Sequence, residues 1–121
     1  MIIYLHGKCS TCQSAKLFLE KKNIVFTIKD ITKEAPSFEE LERMLKFKNG
    51  NLTKLLNTSG QLYKEMELSK KIKDMSISEV LSLLNHHGML VKRPFLIGSD
   101  FGLTGFKEEE WSQKLLFLEL I

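Results

Sequence analysis

Arginine is almost missing from this chain: of eighteen basic residues only Arg43 and Arg93 carry a guanidinium, and the others are lysines. Recognition built on several planar, bidentate forks is therefore excluded. Cysteine and proline occur twice each, too few to staple or stiffen a chain of 121 residues. No stretch approaches the ~18 consecutive apolar residues of a membrane span, and no basic region with a long apolar core precedes the first hydrophobic segment. A cytoplasmic protein with no membrane partner is the expectation. The formal net charge of +3 is too small to argue for direct nucleic-acid binding. In a reducing compartment a close cysteine pair points to catalysis, sensing or metal binding rather than to a structural staple. His6, His86 and His87 do not stand at metal-ligand spacing from the cysteines, so no metal is expected.

What is present fits one compact domain over residues 1–121, with 43% hydrophobic and 27% charged residues. Ile2 to His6 reads as a buried strand and gives way to Gly7, Lys8, Cys9, Ser10, Thr11 and Cys12. Ser10 or Thr11 is expected to cap a helix whose apolar stripe is Ala15, Phe18 and Leu19. The helix should close near Asn23, before a second strand over Ile24 to Ile28. This is a βαβ half over residues 1–30, with the cysteines at the C-terminal end of its first strand, where open α/β sheets tend to hold their sites.

Residues 37–88 read as an all-helical insertion. Two capping boxes, Ser37 with Glu40 and Ser76 with Glu79, start the clearest helices. Asn49-Gly50-Asn51 and Asn57-Thr58-Ser59-Gly60 punctuate the segment. Residues 89–121 form a ββα half. Pro94 stands at the start of a strand through Gly98, because it lacks the N–H a central ladder position needs. Phe101 to Thr104 returns as a hairpin partner, and a last helix opens at Lys107-Glu108-Glu109-Glu110 with Trp111, Leu115, Leu116 and Leu118 toward the sheet. The order β-α-β, helices, β-β-α specifies an α/β, thioredoxin-like (glutaredoxin-like) sheet with a helical insertion.

Four segments in order carry a family resemblance: Cys9-Ser10-Thr11-Cys12 with Ala15-Lys16, Asn57-Thr58-Ser59-Gly60 with Tyr63, Lys92-Arg93-Pro94, and Gly105-Phe106-Lys107-Glu108-Glu109-Glu110. Together they resemble the arsenate reductase (ArsC) and Spx-regulator family, on its reductase-like branch. The resemblance implies a cis bond before Pro94, facing the cysteines. It implies a thiol–disulfide oxidoreductase in which Cys9 is the nucleophile and Cys12 resolves a mixed disulfide. No bound cofactor is implied; glutathione or a thioredoxin/glutaredoxin system would donate electrons.

Cys9, ahead of the helix, should be the more exposed and more acidic thiol. Lys8 beside it, the Ser10 and Thr11 amides, and Arg93-Pro94 across the site would hold an anionic substrate, a small thiol or an oxyanion. Arsenate reductases of the family surround the nucleophile with three arginines, and here only Arg93 matches. Arsenate reduction is therefore not expected. Spx-type regulators share the Cys-x-x-Cys pair and bind the RNA polymerase α subunit, and Gly50 lies about where they use a glycine against it. Gln13 stands where they carry an arginine, and their basic C-terminal extension has no counterpart in Leu116–Ile121. A redox partner protein, or the polymerase α subunit, is the expected macromolecular partner.

Overall fold

The computed structural model describes residues 1–116. Four short strands, β1 (Ile2–Leu5), β2 (Thr27–Asp30), β3 (Phe95–Ile97) and β4 (Gly102–Thr104), form one sheet in the order β2-β1-β3-β4. β1 and β2 are parallel; β3 is antiparallel to both β1 and β4. This is the thioredoxin-like sheet the element order specified.

Alternation along β1 and β3 separates two apolar layers, because successive side chains of a strand point to opposite faces. Ile3, Leu5 and Leu96 pack with α1 (Ser10–Lys21) and Trp111 of a C-terminal helix. Tyr4, Phe95 and Ile97 pack instead with the helices of the insertion. Those helices are α2 (Phe38–Phe47), α3 (Gln61–Glu65), α4 (Leu68–Lys71) and α5 (Ile77–His86), with 3₁₀ turns between them. The C-terminal helix is α6 (Glu108–Lys114).

Both capping boxes form: the Ser37 and Ser76 hydroxyls accept from the Glu40 and Glu79 amides, and each glutamate returns a bond to the cap N–H. The first box also ties the insertion to the sheet, since the Tyr4 hydroxyl donates to Glu40 Oε1 at 2.6 Å. The Arg43 guanidinium reaches the Gly98 carbonyl beyond β3, so it braces α2 against the sheet. A second tie lies nearer the cysteines. Lys92 N–H donates to the Leu55 carbonyl and Asn57 N–H to the Leu90 carbonyl, both at 2.8 Å.

Three expectations are corrected. The α1 cap is Cys9 rather than Ser10 or Thr11, because its sulfur lies where it accepts the amide of Cys12. β2 starts at Thr27 and runs on to Asp30, because its ladder can begin only where β1 begins; Thr27 N–H bonds the Met1 carbonyl. Leu116 points to solvent, 51% exposed, while Trp111 and Leu115 are buried as expected. Leu118 lies outside the described residues.

Candidate active site

Strand register brings the site together. Leu5 ends β1, and Tyr4 faces Phe95 at the start of antiparallel β3, which in turn faces Thr104 at the end of β4. The loop after β1, the residues before β3 and the residues after β4 must therefore meet at one edge of the sheet. These are Gly7–Cys12, Arg93-Pro94 and Thr104-Gly105. The Arg93–Pro94 bond is cis, as the resemblance implied. The Pro94 carbonyl accepts the Gly105 N–H at 2.9 Å, and the Gly105 carbonyl accepts the Trp111 indole N–H at 3.0 Å. Gly105 has φ +69°, in the region that favours glycine.

The cysteine loop is braced at each turn. Cys9 N–H bonds the His6 carbonyl at 3.0 Å, Lys8 N–H bonds His6 Nδ1 at 3.0 Å, and the Gln13 amide donates to the Gly7 carbonyl at 3.2 Å. In sequence Gln13 marks only the absence of an arginine; its bracing role depends on the fold of the loop.

Both thiols are free, and they differ sharply in environment. Cys9 is partly exposed at the cap, and its Sγ accepts the Cys12 N–H at 3.4 Å. Partial burial opposes ionisation of Cys9. Hydrogen bonds from the Cys12 thiol, the Cys12 amide and the Thr11 amide, with the positive charge of Arg93, outweigh it and hold the thiol below its ordinary value. Cys12 is fully buried in the α1 layer, and burial pushes its thiol up to about 12, helped by its hydrogen bond to Cys9. A partly exposed thiol held below its ordinary value, beside a buried one pushed above it, is a contrast suited to thiol–disulfide exchange.

Beside this pair opens a cleft of about 850 Å³. Thr11 and Arg93 line it, whereas Lys8, Ser10 and Pro94 do not. Lys8 is an exposed turn residue, and Ser10 is exposed at the first turn of α1. Sequence reasoning missed the rest of the cationic wall, Lys48, Lys54, Lys92 and Lys107. They come from four separate segments and make no run. No group of three or more His, Cys, Asp or Glu side chains that could hold a metal occurs among the described residues. No helix among them is long and apolar enough to cross a membrane.

The ArsC family model matches residues 4–114. The chain belongs to the ArsC family. It is 36% identical over 113 residues to the uncharacterized protein YusI of Bacillus subtilis, covering 93% of this chain and 96% of that protein. An ArsC family related protein from Bacteroides fragilis has a solved structure that superposes with a TM-score of 0.86 at 40% identity, covering 93% and 94% of the two chains. The global transcriptional regulator Spx 2 of Bacillus anthracis is more distant, 24% identical over 91% of this chain and 82% of the regulator. The chain is thus a thioredoxin-fold, thiol-based member of a reductase-like family with ties to Spx regulators.

Proposed function

We propose that this ArsC-family protein is a thiol–disulfide oxidoreductase in which Cys9 is the nucleophile and Cys12 the resolving thiol. The contrast between the two sulfurs carries the reading: a partly exposed, acidified thiol at a helix cap, and a buried, protonated one a single turn along the same helix. The Cys9 thiolate attacks a disulfide sulfur and forms a mixed disulfide, expelling one thiolate. Cys12 then attacks Cys9 Sγ, the mixed bond breaks, and the Cys12 proton ends on the second leaving thiol. Arg93 stabilises the thiolate and, with Thr11, faces the substrate. Lys8, Ser10 and the cis-bonded Pro94 shape the loops that present these groups.

An arsenate-type oxyanion fits poorly, because one guanidinium and several lysines do not reproduce a cradle of planar forks. Reduction of the Cys9–Cys12 disulfide would fall to glutathione or a thioredoxin/glutaredoxin system.

The test is the rate of Cys9 alkylation as a function of pH. A midpoint below that of an ordinary thiol, with Cys12 unmodified, is expected; a midpoint at or above it contradicts the assignment. A second reading, a redox-sensing regulator that binds the RNA polymerase α subunit, draws on the similarity to Spx proteins. The left-handed turn at Asn49-Gly50 also favours it, being exposed beside the cleft. Specific capture of the C-terminal domain of the α subunit would support that reading over the enzyme.

A further inference from the structure

The cleft beside Cys9 is far too large for a tetrahedral oxyanion and falls within the range of pockets that hold a whole cofactor-sized molecule. Its lining carries five cations, Lys48, Lys54, Lys92, Arg93 and Lys107, against one carboxylate, Glu110. None of the four lysines forms an ion pair among the described residues. Lys48 is held below its ordinary value by burial, and the charges of Lys114, Lys54 and Lys92 add to that against Glu110. Five cations around a single carboxylate leave the cleft with a net positive charge, which an anion would offset.

A second observation points the same way. Thr104 is 8% exposed, and its Oγ1 has no hydrogen-bond partner among the described residues, yet Thr104 lines this cleft. A buried hydroxyl without a partner costs free energy, and because its oxygen is sealed beneath the cleft surface the side chain must rotate before a ligand acceptor can satisfy it. The cleft also has apolar walls, Phe47 and Phe106, the latter stacked edge-on against Trp111 at 5.0 Å. Lysines act as point charges suited to phosphate rather than as forks for carboxylate. Several phosphates, an aromatic base and a sulfur that must reach Cys9 describe one class of molecule.

We propose that the lysine-lined cleft binds the phosphorylated nucleotide part of a phosphate-bearing thiol of the coenzyme A type and so presents its disulfide to Cys9. The binding half stands on the cleft alone; the chemical half rests on the reading of Cys9 given above. The disulfide accepts two electrons and becomes two thiols. The Cys9–Cys12 dithiol gives up two electrons and becomes an intramolecular disulfide, its two protons passing to the released thiols.

Two measurements test this on the full chain. The first is calorimetric binding of adenosine 3′,5′-bisphosphate, which has the charge but no sulfur. Salt-sensitive binding that Lys48→Gln/Lys54→Gln/Lys92→Gln abolishes is expected; no binding, or binding indifferent to the substitutions, overturns the proposal whatever Cys9 does. The second compares rates of Cys9–Cys12 disulfide formation with coenzyme A disulfide, glutathione disulfide and the neutral hydroxyethyl disulfide. Coenzyme A disulfide should lead both by about tenfold or more at low salt, with the ratio collapsing at high salt. Equal rates with all three disulfides overturn the proposal and leave the thiol chemistry standing. A lead for glutathione disulfide assigns the cleft to carboxylates and overturns it too. If no disulfide reacts while the bisphosphate binds, the cleft assignment holds and the oxidoreductase reading fails.

Discussion

Replacing Thr104 by valine should stabilise the ligand-free protein, an outcome few substitutions in a buried strand produce. Thr104 ends β4, is 8% exposed, and faces Phe95 across the ladder. Its Oγ1 has no hydrogen-bond partner among the described residues. Burying an unsatisfied hydroxyl costs about 1–2 kcal/mol, and valine presents a methyl of similar shape at the same place. The β-branched side chain keeps its strand preference, so the ladder is undisturbed. A gain of about 1–2 kcal/mol raises the melting temperature of a chain this size by about 4–8 °C. Thermal unfolding under reducing conditions, followed by circular dichroism, reads it directly. Thr104→Ser is the control: it keeps the hydroxyl and loses a methyl, so it should be less stable than the parent. An unchanged or lower melting point for Thr104→Val refutes the view of this hydroxyl as unpartnered.

Other expectations follow from the same geometry. Arg93→Ala removes the positive charge that joins the hydrogen bonds in depressing the Cys9 thiol, so its alkylation midpoint should rise toward the ordinary thiol value; an unmoved midpoint would show that Arg93 does not act on Cys9. Gly105→Ala places a side chain at φ +69° and within 3.1 Å of Lys92 Cε. It should cost about 1–2 kcal/mol in denaturant unfolding, read from the shift in midpoint. Ser76→Ala breaks the capping box of α5 and should cost about 1 kcal/mol in the same assay, leaving Cys9 alkylation unchanged.

Much of this was legible in the sequence because it depends on local chemistry. Ser37 with Glu40 and Ser76 with Glu79 specify helix starts through bonds three residues apart, and both formed. Pro94 marked a strand beginning, since a residue without an N–H cannot sit inside a central ladder. Cys9 and Cys12 were placed by a strand, a glycine and a helical stripe in succession. What failed was decided between distant segments. The β-branched run at Ile24–Ile28 suits a strand, but the length and register of β1 set where pairing starts. Leu116 fits the stripe that would cover the sheet, yet Trp111 and Leu115 already fill the layer beneath α6. The cationic cleft was invisible for the same reason. Lys48, Lys54, Lys92 and Lys107 lie in four segments, whereas the conspicuous cluster Lys70-Lys71-Lys73 is exposed on and after α4, away from the cleft.

The central claim is that Cys9 and Cys12 act as attacking and resolving thiols, and disulfide trapping with mass spectrometry tests it most directly. The wild-type protein, titrated with glutathione disulfide, should pass to an intramolecular Cys9–Cys12 disulfide, and Cys12→Ser should stop at a stable mixed disulfide on Cys9. A wild-type protein that remains a mixed disulfide, or whose two cysteines never join, would contradict the account.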